Sequence, residues 1–147
     1  MTLAGEGMVV LGFDFGMRRI GVAIGNLVTA TAAPLETIHC SGSEWDAISS
    51  FIDEWQPRAL IVGLPYNADG SESEMTRRAR RFARQLSGRF GLPVHEVDER
   101  WTSREAAAEL RQQRRSGERR KRVQPDEIDR QAARLILESW LSNRQDG

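Results

Sequence analysis

The chain has 147 residues, enough for one domain with a sizeable core, and its formal net charge of zero favours no class of partner by itself. No apolar run approaches the ~20 residues of a membrane helix, and residues 1–7 lack the basic start and apolar stretch of a secretory signal. The single cysteine, Cys40, excludes an internal disulfide and argues against a thiolate metal cluster, so the expected setting is the cytoplasm, with no membrane partner.

In chain order, residues 1–7 read as a flexible tail. A strand is expected from Met8 to Phe15, apolar on both faces and therefore central, with Asp14 embedded in it. A tight turn leads to a second strand, Ile20 to Gly25, and the pair reads as an antiparallel hairpin. Ala33 to His39 adds a third, weaker strand to the meander. Ser43 reads as the cap of a helix carrying Trp45, Ile48, Ile52 and Trp55 at helical spacing, which Pro57 ends. Ala59 to Leu64 is a buried strand stopped by Pro65, and Asn67 to Ser71 has the chemistry of a turn. The next helix, Glu72 to Gly88, turns Ala79, Phe82, Ala83 and Leu86 inward and an arginine row outward. Leu92 to Asp98 is a further strand. Thr102 and Glu105 form a capping box for a helix to about Arg114. The basic stretch 115–124 reads as a mobile loop, Asp126 to Ser142 as the last helix, and residues 143–147 as a second tail. The fold class is α/β: one domain over 1–147, with a five-stranded mixed sheet flanked by helices on both faces.

The charges are unevenly spread. Of 21 basic residues only Lys121 is a lysine, and the arginines bunch at 77–84 and 111–122. Arginine offers a planar fork suited to phosphate, although a GC-rich genome would also favour it.

Asp14 is costly to bury without a cation or a donor. Advancing 100° per residue from Ile128 puts Ala132 at about 40°, Ile136 at about 80° and Asp129 at about 100°, so Asp129 points where apolar side chains point. Asp126 and Glu127 fall outside that arc and suit the helix N-terminus. A third acid comes from the strand end Asp98-Glu99, whose members project to opposite faces, so that one of them meets the site. Three converging carboxylates repel unless cations intervene, and hard oxygen ligands suit Mg²⁺ or Mn²⁺. Two such ions about 4 Å apart activate water and stabilise the leaving oxygen in phosphodiester cleavage. His39 and His95 form no zinc pattern, and the serines have turn or cap contexts.

Gly12-Phe13-Asp14-Phe15-Gly16 with Arg19-Ile20-Gly21-Val22-Ala23 resembles the opening motif of the YqgF family, also called RuvX, which has an RNase H-like fold. Val62-Gly63-Leu64-Pro65 with Asn67, Asp69, Gly70 and Ser71 is similar to its second motif. Asp98 to Ser103 resembles the third, and Asp129, Ala132, Ala133 and Leu137 to Trp140 the fourth. The resemblance runs from about Met8 to Leu141. It implies a nuclease, described both as the enzyme trimming the 5′ end of pre-16S ribosomal RNA and as a Holliday-junction resolvase. It carries Asp14, Asp98/Glu99 and Asp129 over as the metal-binding set and favours Glu99 as the third acid. The arginine-rich stretch from Arg114 to Arg122 departs from the family pattern.

The resulting expectation is a metal-dependent endonuclease for structured RNA, acting as a monomer or weak homodimer. Asp14, Glu99 and Asp129 would hold a two-ion Mg²⁺ or Mn²⁺ site, with Asp98 the alternative third acid. Arg18 and Arg19 would orient phosphate. Asn67, Asp69, Arg77, Arg78, Arg81 and Arg100 would hold the substrate backbone. The rivals are a four-way-junction resolvase, a nucleotide-binding ATPase built on the Asp-x-Gly hairpin, and a non-catalytic nucleic-acid-binding module.

Overall fold

The computed structural model describes residues 7–101 and 125–146; the expected helix at 102–114 and loop at 115–124 lie outside them. Five strands, β1 (Val9–Asp14), β2 (Arg19–Asn26), β3 (Thr31–His39), β4 (Ala59–Leu64) and β5 (Val94–Asp98), form one sheet in the order β3-β2-β1-β4-β5. β1 pairs antiparallel with β2 and parallel with β4; β2–β3 is antiparallel and β4–β5 parallel. This is the meander with added parallel strands that the sequence predicts.

Three helices are described: α1 (Glu44–Trp55), α2 (Glu74–Phe90) and α3 (Pro125–Asp146). α1 and α2 cover one face, where Ile48, Phe82 and Leu86 meet Leu11, Phe13, Val22 and Val62. α3 covers the other, where Ile136, Leu137 and Leu141 meet Val10, Ala23, Ile61 and Val97. Both faces of β1 and β4 are therefore dry, which is why their sequences are apolar without alternation.

Several boundaries differ from expectation for local reasons. β3 begins at Thr31 and carries a bulge where Val22 faces Glu36 but Ala23 faces Pro34. An edge strand tolerates a proline there because its missing N–H faces no partner. α2 begins at Glu74, since Glu72 is held in a bridge with Tyr66. Ser73 then caps the helix: its Oγ accepts from Thr76 N at 3.1 Å, and Thr76 Oγ1 accepts from Ser73 N at 3.0 Å. Ser43 precedes α1 but its side chain makes no capping bond. Pro93 cannot donate to a ladder, so β5 starts at Val94. α3 continues past Ser142 to Asp146.

Candidate active site

Strand alternation decides where Asp14 looks. Leu11 and Phe13 join the α1–α2 core, so Val10, Gly12 and Asp14 face α3. Asp14 pairs with Gly21 on β2, and continuing the β1–β4 register beyond Phe13–Val62 sets it beside Gly63. The carboxylate thus stands on a floor with no side chain on either flank.

Each glycine is covered by a backbone or side chain that bears on the site. A Cβ on Gly21 would overlap the Asp129 carbonyl oxygen and lie 2.5 Å from its carbon. One on Gly63 would lie 3.0 Å from Glu99 Cγ. Asp129 therefore comes in over β2 and Glu99 over β4, on either side of Asp14 and on the same face. The N-terminal end of α3 is fixed to the β3 edge, where Thr37 Oγ1 donates to the Asp126 carbonyl and His39 Nε2 stands 2.7 Å from Asp126 Oδ2.

Asp98 is turned to the other face and belongs to the turn. Its Oδ1 accepts from the Arg100 backbone N at 2.9 Å, and its Oδ2 from Arg100 Nη2 at 2.6 Å. The Arg100 guanidinium holds Asp98 below the usual carboxylate range. This fork closes the 3-10 turn Glu99–Trp101 that presents Glu99. Glu99 is half-buried, and burial, with the Asp98 charge second, pushes its pKa up to about 7. Such a carboxyl is half protonated near neutrality and gains most from a cation.

Arg19 Nε donates to Asp129 Oδ2 at 2.6 Å, with the Asp129 side chain 16% exposed. Asp129 in turn raises the pKa of Arg19. The donor set Asp14, Glu99 and Asp129 is all oxygen and fits Mg²⁺ or Mn²⁺ in kind. Its spacing is not that of a closed cage: among the described residues no group of three His, Cys, Asp or Glu is arranged to hold a metal ion. The Asp129 carboxylate is turned to Arg19 instead.

The other expected contacts fall elsewhere. Arg18 is exposed on the turn after Asp14. Asn67 Nδ2 donates to Ser71 Oγ at 2.9 Å, and Asp69 Oδ1 accepts from Ser71 N at 2.9 Å, so both side chains build their own turn. Arg100 is engaged by Asp98 and lies over the Tyr66 ring at 5.5 Å. Arg77 and Arg78 pair with Glu74 at 3.1 and 3.0 Å, and Arg81 is exposed. All three are on α2, across the sheet from the acids. Sequence reasoning missed the glycine floor and the Arg19–Asp129 pair. The floor had a signal, since Gly12, Gly21, Gly25 and Gly63 interrupt otherwise bulky strands.

Residues 8–143 match a family described as RuvX, Holliday junction resolvase. A protein of Azotobacter vinelandii is 47% identical over 142 residues, covering 95% of this chain and 96% of its own, and is named "Putative pre-16S rRNA nuclease". A protein of Methylococcus capsulatus with the same name is 49% identical over 140 residues, covering 93% and 90%. Among solved structures, T. thermophilus RuvC in complex with a Holliday junction substrate superposes with a TM-score of 0.60 at 17% identity, covering 94% and 96%. The Fowlpox virus resolvase with Holliday junction DNA gives 0.60 at 10% identity, covering 93% and 99%. The chain shares the RNase H-like fold of these resolvases.

Proposed function

The chain belongs to the RuvX family, and on that premise we propose that it is a metal-dependent endonuclease that hydrolyses phosphodiester bonds in structured RNA, with precursor 16S ribosomal RNA as substrate. The observation that carries this reading is the approach of Glu99 and Asp129 to the two glycines flanking Asp14 on one face of the sheet. The RNA substrate is supported by the names of relatives at 47% and 49% identity over nearly the whole chain.

Asp14, Glu99 and Asp129 would hold the ions, which when bound supply a nucleophilic water and stabilise the leaving oxygen. The chain's own residues do the rest. Arg19, on the strand beside Asp14, lies where a phosphate can exchange for Asp129 as its anion. Asp98 acts at one remove, by holding the turn of Glu99 through Arg100. A phosphate contact by the exposed Arg18, beside Asp14, would make binding weaken with salt.

The test is a cleavage assay on precursor ribosomal RNA and on a four-way DNA junction, with Mg²⁺ or Mn²⁺. Wild type should cut the RNA, and Asp14→Asn and Asp129→Asn should not, while keeping the wild-type circular dichroism. The family description favours the junction as the second substrate, so cleavage of the junction alone would move the reading to a resolvase. Cleavage unchanged in both variants would sink the acid assignment.

A further inference from the structure

α3 extends well beyond the acids, to Asp146. At the opposite end of the sheet lies a cleft of about 500 Å³, lined by Arg58, Pro93, His95, Trp140, Asn143 and Arg144 among others. Among the described residues no carboxylate lines it. Arg58 and Arg144 are exposed, so the described lining brings two guanidinium cations to the cleft. Its wall is aromatic: the His95 and Trp140 rings lie 5.2 Å apart at 32°, and the Arg144 guanidinium stands 5.5 Å from the Trp140 ring. Cations beside flat rings are the elements that hold a nucleic-acid single strand, phosphates on arginine and bases on the rings.

The cleft and the acids are carried by the same two elements, α3 and β5 with the turn after it. Asp129 and Trp140 sit on the same helix, separated by roughly 16 Å at 1.5 Å per residue. His95 and Val97 follow each other on the α3 face of β5, and Glu99 comes next in the chain. Among the described residues β5 is an edge strand of the sheet.

We propose that the Arg58–Trp140–Arg144 cleft is a second nucleic-acid contact, which anchors an unpaired strand of the substrate a few nucleotides from the phosphate at the acids. The proposal rests on the nuclease reading for the identity of the strand and not for the chemistry of the cleft. An acidic polypeptide would suit the arginines but would leave the stacked rings without a role.

The probes are two labelled RNA hairpins, one blunt and one with an unpaired extension of about 8 nucleotides. Binding is read by fluorescence anisotropy in EDTA, so that no cleavage occurs. Wild type should bind the extended hairpin about tenfold more tightly than the blunt one. Arg58→Glu and Arg144→Glu should each erase that difference, and should lower the salt slope by about one. Trp140→Leu should do the same while keeping apolar volume against the core. If it unfolds in urea too early, the two exposed arginine variants still decide. Equal binding of both hairpins by wild type, or arginine variants that retain the difference, overturns the cleft, as does displacement of the RNA by polyglutamate as readily as by unlabelled RNA. Cleavage of precursor ribosomal RNA with Mn²⁺ is read separately. Its failure, with extension-dependent binding intact, overturns the nuclease reading and leaves the cleft standing.

Discussion

Gly21→Ala tests the link between sheet packing and the acid site. The added Cβ meets the backbone of α3, 2.5 Å from the Asp129 carbonyl carbon, where ordinary contact begins at 3.4 Å. Backbone cannot rotate away as a side-chain tip can, so α3 must recede by about 1 Å. The helix cannot tilt freely, because Asp126 is bonded to Thr37 and His39 on the β3 edge. Overpacking of this kind costs about 3 kcal/mol. A shift of that size in a carboxylate with the role proposed for Asp129 costs about a hundredfold in rate. Gly25→Ala is the control: its Cβ would meet the Leu137 side chain, with Cδ2 at 2.9 Å, which can change rotamer. Urea denaturation and RNA cleavage, read on both variants, should show a large loss for Gly21→Ala and less than half of it for Gly25→Ala. A Gly21→Ala protein with the wild-type urea midpoint would refute the reasoning.

Three further outcomes follow from the site. Folded Glu99 titrates near 7 against an ordinary 4.5, so between those values the folded chain keeps a proton that the unfolded chain has lost. The Glu99 contribution to metal-free stability should therefore be full below about 4.5 and fall as pH rises through 7. Glu99→Gln should remove that slope in urea titrations at pH 5 and 7.5 in EDTA, and a wild type already as flat as the variant would exclude the shift. Arg19→Gln should tighten Mn²⁺ binding about tenfold by calorimetry, since it frees Asp129 Oδ2 from a charge-assisted bond, and should lower cleavage; unchanged affinity would exclude competition between the guanidinium and the ion. Asp98→Ala should cost about 1 kcal/mol and slow cleavage while leaving Mn²⁺ stoichiometry as in wild type, whereas loss of an ion would mark Asp98 as a ligand.

The parts of this fold that were legible in the sequence are those set by period and punctuation. β1 and β4 are continuous apolar runs because both faces are covered, and α2 shows its buried stripe of Ala79, Phe82, Ala83 and Leu86 without ambiguity. The helical phase of α3 put Asp129 towards the sheet for the same reason. What period cannot give is pairing. Nothing in the spacing of Asp129 says that Arg19, 110 residues earlier, lies within 2.6 Å of it. The arginine row of α2 illustrates the limit differently. Its outward direction was readable, but which face of the sheet α2 covers depends on the handedness of the crossover from β4 to β5, and that sets the row across the sheet from the acids.

Asp98 and Glu99 show how a local choice is settled by a non-local one. Alternation alone sends one to each face and leaves open which face is the site. Gly12, Gly21 and Gly63 resolve it, because a face stripped of side chains in three adjacent strands is where a helix backbone can lie close. α3 takes that face, Asp14 shares it, and the rung Leu64–Asp98 puts Asp98 on the opposite one. Glu99 is then the acid beside Asp14 by geometry, and Asp98 is left to bind the guanidinium and backbone N–H of Arg100. The same glycines that let α3 approach also exclude any larger residue at Gly21. Packing of the helix and assembly of the carboxylates are thus one constraint, and a variant that relieves the packing must move Asp129.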